Sequence, residues 1–273
     1  MEHRNKIPGK NRIVIKVGTS TLSYPNGRLN FQRIEKLAKV ISLLQNKGKQ
    51  VILVSSGSIG VGAGRLGLKD RPDDLAEKQA LAAIGQAELI KIYQKFFDAY
   101  DQNVAQVLLT KDGLINSLSR SNAHNTLNTL LNMSIVPIIN ENDTVSTEEI
   151  EFGDNDTLSA YVAILVEAEL LVLLSDIEGL YSADPKKDNS ARIIHKVTRI
   201  TPEIEQMATG AGSSFGKGGM ATKIAAAKLC DKAGIDTIIT NGEEPSIIID
   251  LLEGKEVGTL FVSAKNQQTF NPN

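Results

Sequence analysis

Short runs of aliphatic and β-branched residues alternate along the chain with longer stretches whose apolar positions recur every three or four residues. The runs at 12–17, 50–54, 104–109, 135–139, 170–174, 236–240 and 259–262 predict strands. Helices are predicted near 31–47, 74–99, 120–132, 157–167, 220–233 and 246–252. In the first helix Ile34, Leu37, Ala38, Ile41 and Leu44 line one face, and Asn30 stands where a side chain can cap the first backbone N–H groups. Strands that are apolar throughout, each followed by a helix, predict an α/β fold with a largely parallel sheet covered on both faces. No low-complexity linker and no convincing repeat interrupts the pattern, so one domain on one continuous sheet is expected.

Composition narrows the functional classes. The 273 residues are 41% hydrophobic and carry a formal net charge of −2, enough apolar mass for a large core and no global pull toward nucleic acid or anionic lipid. Aromatic residues make up 4% and tryptophan is absent, which removes the usual stacking platforms for bases. The single cysteine, Cys230, excludes an intrachain disulfide, suits a reducing cytoplasm, and lies in a helical stretch where a small buried hydrophobe is expected. The N-terminal MEHRNKIPGKNR has no apolar core of a signal peptide and is expected to be a disordered lead-in. No run approaches the roughly 18 apolar residues of a membrane span. Small-molecule chemistry fits this profile, with neither nucleic acid nor membrane as partner.

The longest stretches without apolar periodicity are 140–156, 176–189 and 209–219. Connections of that length in a compact domain are usually functional, and in open α/β sheets ligands bind beyond the carboxyl ends of the strands. Lys16 closes the first strand within IVIKVGTST, where its charge needs a partner or a cavity, unless the strand is an edge that lets it reach solvent. VILVSSGSIG runs from a strand into Ser55, Ser56 and Gly57, a place where backbone N–H groups at a helix start can cradle an anion. Gly62, Gly64 and Gly67 match the spacing of a dinucleotide fingerprint, but they begin eight residues past the strand, so close helix packing explains them better.

The run IINENDTVSTEEIEFGDNDTLSA gathers Asn140, Asn142, Asp143, Asp154, Asn155 and Asp156. Such a set can hold an ammonium group and hydroxyls, coordinate Mg²⁺ or form a solvated loop; Asp154 or Asn155 can also cap the next helix. LVLLSDIEG ends a strand in Ser175 and Asp176. GSSFGKGGMATK opens a helix with Lys223 in its first turn, where a cation opposes the helix dipole and an anionic ligand would explain it. The loop does not fit the phosphate-binding GxxxxGK[ST] pattern.

Together IKVGTS, VSSGSIGVG, NEND, GDND, LSDIEGLYSADP and GKGGMATK resemble the glutamate 5-kinases of the amino-acid kinase family, in order and over residues 12–262. The resemblance implies an αβα sandwich with a largely parallel central sheet. It also implies ATP-dependent phosphorylation of the glutamate γ-carboxylate, the first step of proline biosynthesis, with Mg²⁺ accompanying ATP and no metal bound directly by the protein. By position, Lys16, Lys223 and Asp156 are similar to the catalytic groups, and Ser56, Gly57, Asp143 and Asn155 to the glutamate contacts. Lys16, Ser175, Asp176, Lys217, Gly218, Gly219, Met220, Ala221, Thr222 and Lys223 are similar to the nucleotide segment. Glutamate is thus expected on the N-terminal part, about 12–170, and ATP on the part after 171. Lys217 departs from the small or hydroxyl residue common there. The C-terminal PUA domain of many relatives is expected to be absent. Proline as feedback inhibitor, transfer of product to glutamate-5-semialdehyde dehydrogenase and a homo-oligomer are further implications of the resemblance.

Overall fold

The computed structural model describes residues 3–24, 28–68, 72–146, 155–185, 187–210 and 219–268. Among these, eight strands form one sheet: β1 (Arg12–Val17), β2 (Gln50–Val54), β3 (Val104–Leu109), β4 (Val136–Glu141), β5 (Leu170–Ser175), β6 (Lys196–Val197), β7 (Asp236–Asn241) and β8 (Thr259–Phe261). Their spatial order is β3-β4-β2-β1-β5-β7-β8-β6. Every neighbouring pair is parallel except β7 with β8. The seven predicted strands are all present; β6, only two residues long, is too short to leave a pattern in the sequence.

Alternation along each strand divides the core into two layers. On β1, Ile13, Ile15 and Val17 face one core, which the helices Phe31–Asn46 and Leu75–Asp98 cover with Ile34, Leu37, Ile41, Leu89, Tyr93 and Phe97. Val14, Ile52, Val54, Leu171 and Leu173 face the other, covered by the helices Asn155–Leu165 and Met220–Ala233 through Leu158, Val162, Ile224 and Ala227. Cys230 is buried in this second layer, where burial pushes its thiol up to about 12. The expected sandwich is therefore present. Lys16 shares the face of Val14, two residues away, so the strand period points it toward the second helical layer.

Predicted helix ends shift by a few residues, and Asn30 caps Phe31–Asn46 by accepting from the Arg33 N–H at 3.1 Å. The N-terminal expectation is overturned. Arg4–Gly9 forms a 3₁₀ helix, Ile7 is fully buried, and the Arg4 guanidinium donates to the carbonyls of His195 and Gly258 at 3.1 Å and Lys255 at 3.3 Å. One apolar residue sets no periodicity, and the anchoring carbonyls lie about 190–250 positions away, beyond any local signal. Likewise 209–219 is not wholly irregular, because the helix Pro202–Gly210 runs into it.

The helix Ser58–Arg65 lies directly on Leu75–Asp98. A Cβ on Gly62 would overlap the Leu81 carbonyl, and one on Gly85 would overlap that of Ser58. Close packing thus explains Gly62. It does not explain Gly64, which faces open space, or Gly67, whose φ of 69° continues the chain just past the helix.

Candidate active site

The sheet sets the location. From β1 the chain adds β2 on one side, then later β5 on the other, so the strand order reverses at β1. Such a reversal opens a crevice at the carboxyl ends of the strands. Lys16 lies opposite Val54 of β2 and Leu173 of β5, in the middle of the sheet and not at an edge. Of the two readings open for this lysine, the buried one is correct.

Its partner is Asp156, in the first turn of the helix Asn155–Leu165. Lys16 Nζ lies 2.7 Å from Asp156 Oδ1. Lys223 Nζ, from the first turn of Met220–Ala233, lies 3.1 Å from Oδ2 of the same carboxylate. The Thr222 hydroxyl is 2.8 Å both from Asp156 Oδ2 and from the Gly219 carbonyl. Side-chain exposures of 8% for Lys16, 6% for Lys223 and 0% for Asp156 leave little water to screen these charges. Burial by itself would raise the Asp156 pKa, but the Lys16 and Lys223 ammonium groups outweigh it and hold the carboxyl below the usual carboxylate range. Three residues distant in sequence thus meet, and their formal charges sum to +1, an arrangement that suits an incoming anion.

Beside this centre lies a second polar group at the ends of β2 and β4. Ser56, Asn140, Asp143 and Asn155 are all buried. Ser58 Oγ donates to Asp143 Oδ2 at 2.9 Å. Asn155 Nδ2 lies 2.6 Å from the Ser55 carbonyl, 2.8 Å from Asn140 Oδ1 and 3.0 Å from Ser56 Oγ. The Asn155 amide therefore ties the carboxyl ends of β2 and β4 to the helix that carries Asp156. Gly57 has a φ of 99°, a left-handed conformation that turns the chain from β2 into the next helix.

Ser175 closes β5, the strand next to that of Lys16, and Asp176 follows it, with Ser175 Oγ donating to Asp176 Oδ1 at 3.1 Å. Gly219 precedes the helix of Lys223. Met220 is buried in the core, whereas Ala221 is exposed. Lys217, Gly218 and Asp154 lie outside the described residues. Among the described residues no group of three or more His, Cys, Asp or Glu is arranged to hold a metal, and no helix is long and apolar enough to cross a membrane. Sequence reasoning missed Ser58, which holds Asp143, and Gln86 and Tyr93, which reach the strand ends from behind. Gln86, a polar residue amid the apolar positions of a long helix, left the one usable signal.

The amino acid kinase family model matches residues 11–241. The chain belongs to the amino acid kinase family. Among curated members, a glutamate 5-kinase of Clostridium perfringens is 53% identical over 268 residues, covering 97% of this chain and 100% of that protein. A glutamate 5-kinase of Listeria innocua is also 53% identical over 268 residues, covering 97% of each. Solved structures with the same fold include UMP kinases of Ureaplasma parvum (TM-score 0.62, 19% identity, 93% of this chain and 99% of that one) and Bacillus anthracis (TM-score 0.61, 17% identity, 93% and 97%). At such identity they speak for the amino acid kinase fold alone.

Proposed function

We propose that this amino acid kinase transfers the γ-phosphoryl group of ATP to the side-chain carboxylate of L-glutamate, giving L-glutamyl 5-phosphate, as the first step of proline biosynthesis. The observation that carries the reading is the meeting of Lys16 and Lys223 on the buried Asp156 at the reversal point of the sheet. The 53% identity to glutamate 5-kinases supports the choice of acceptor.

The chemistry suits the residues. A glutamate carboxylate, with a pKa of about 4.3, is already ionised at neutral pH and needs no general base. The obstacle is the approach of that anion to a polyanionic phosphate, so catalysis is positioning and charge neutralisation. Lys16 and Lys223 supply the positive charge, and Asp156 keeps both ammonium groups protonated and in place. Asp143 is the acidic partner for the substrate's α-ammonium group, and Ser56, Gly57 and Asn155 complete the acceptor side. The nucleotide lies on the part after residue 171, against Ser175, Asp176 and the 217–223 segment, with backbone N–H groups of Gly219, Met220 and Ala221 at the helix start. Mg²⁺, bound with ATP, would add neutralisation of the phosphates. Both Asp156 oxygens are engaged by ammonium groups, so this carboxylate would serve the lysines and not the ion.

A cytoplasmic location, inhibition by proline and hand-over of the labile product to glutamate-5-semialdehyde dehydrogenase belong to the same reading. So does a homo-oligomer, for which Ile115 and Leu118, 69% and 70% exposed in the chain segment that follows the edge strand β3, offer apolar surface. The test measures ADP release and hydroxylamine trapping of an acyl phosphate with Mg-ATP and a panel of acceptors. Hydroxamate with free glutamate, and little turnover of N-acetylglutamate, aspartate, carbamate or UMP, is expected. Turnover of one of the others in place of glutamate would sink the proposal.

A further inference from the structure

Behind the acceptor residues runs the helix Leu75–Asp98, and its sheet-facing side is apolar, with Leu81, Ala82, Leu89, Tyr93 and Phe97 buried. Gln86 interrupts that side and is itself buried. A buried amide is costly unless hydrogen-bonded, so a residue of similar size such as Leu or Met would suit packing better. Gln86 has a specific partner: Asn140 Nδ2 donates to Gln86 Oε1 at 2.7 Å.

The orientation of this chain of amides is dictated by backbone groups at two points. The Glu141 N–H can only donate, and it lies 3.0 Å from Asn140 Oδ1, which makes that atom the acceptor and turns Nδ2 toward Gln86. The Ser55 carbonyl can only accept, and Asn155 Nδ2 faces it. Asn140 Oδ1 then receives Asn155 Nδ2, and Gln86 must present an acceptor. The same helix also fixes Ser55, whose Oγ is 2.9 Å from the Tyr93 hydroxyl two turns beyond Gln86.

We propose that Gln86 is a positioning residue of the acceptor site: its side-chain oxygen fixes the Asn140 amide, which fixes Asn155 next to Asp156. The inference rests on the proposed function in placing the acceptor at Asn155 and Ser56. Gln86 touches no reacting group and acts through two amides, so its loss loosens acceptor binding and leaves phosphoryl transfer and nucleotide binding alone.

Gln86→Met removes the acceptor at nearly constant length, and Gln86→Glu keeps an oxygen at the same reach. In the folded Gln86→Met variant the KM for glutamate rises about tenfold, while kcat and the KM for ATP stay within about twofold. Gln86→Glu recovers glutamate KM to within about threefold of wild type. An unchanged glutamate KM in Gln86→Met, or an equal rise in both variants, overturns the relay. A second readout depends neither on the acceptor nor on the variants' folding. In the wild-type protein the side-chain NH₂ resonances of Asn140 and Asn155 exchange slowly with water, and rapid exchange there overturns the proposal. Failure of the proposed function would appear separately, as absent hydroxamate from wild-type protein with glutamate.

Discussion

Replacing Asp156 by asparagine keeps the shape of the side chain and removes the one charge on which two buried lysines converge. The carboxylate accepts from Lys16 at 2.7 Å, Lys223 at 3.1 Å and Thr222 at 2.8 Å, whereas an amide offers one acceptor and turns an NH₂ toward one of the ammonium groups. Breaking a buried ion pair by removing one partner costs about 3–5 kcal/mol. At about 2–4 °C per kcal/mol for a chain near this size, the melting temperature should fall by roughly 6–20 °C. The acid limb carries the same information. Burial opposes ionisation of Asp156, but the two lysines prevail and depress its pKa in the folded state. The stabilisation is therefore complete above the unfolded carboxyl value of about 4 and is lost as pH falls through the depressed folded value, because the unfolded chain takes up the proton first. Thermal unfolding of wild type and Asp156→Asn across pH 2–8 reads both effects, with wild type losing stability more steeply below about pH 4. Equal melting temperatures at pH 7, or parallel acid limbs, would refute the picture of one carboxylate holding two buried cations.

Two further substitutions test the acceptor side. Asp143→Ala removes the partner proposed for the substrate's ammonium group, so glutamate kcat/KM should fall at least about 30-fold through KM, within the roughly 2–5 kcal/mol of a truncated buried charge pair, while ATP KM barely moves. Steady-state kinetics with each substrate varied in turn decides it, and an unchanged glutamate KM would reduce Asp143 to a partner of Ser58. Gly85→Ala places a methyl group against the Ser58 carbonyl, so overpacking should cost about 1–3 kcal/mol and disturb the Ser58–Asp143 bond. A variant with both wild-type stability and wild-type glutamate KM would show that the two helices can separate freely.

The sheet and its helices were legible because fully buried parallel strands write uninterrupted apolar runs and amphipathic helices write a periodic face. Lys16 and Lys223 were legible as violations, one a charge inside an apolar strand, the other a cation against a helix dipole. Their convergence on Asp156 was not. Strand alternation sends Lys16 to the second layer, but which helix start meets it depends on a sheet order that no local pattern encodes. Arg4 shows the same limit, since its value lies in three carbonyls far along the chain. Gln86 was a weak violation of the same kind as Lys16, and on a helix that also carries Gln79 and Gln94 it passes unnoticed until its partner is seen.

The most direct test of the central claim is steady-state kinetics of Lys223→Met, a swap of similar length that keeps helix propensity and removes the charge. If Lys223 neutralises the phosphoryl group in transfer, kcat should fall by about 10²–10³-fold, the scale of a lost electrostatic donor, while the KM values for ATP and glutamate change far less. Wild-type turnover by the folded variant would contradict the account, because a lysine without a part in transfer would leave the Asp156 centre as a structural ion cluster.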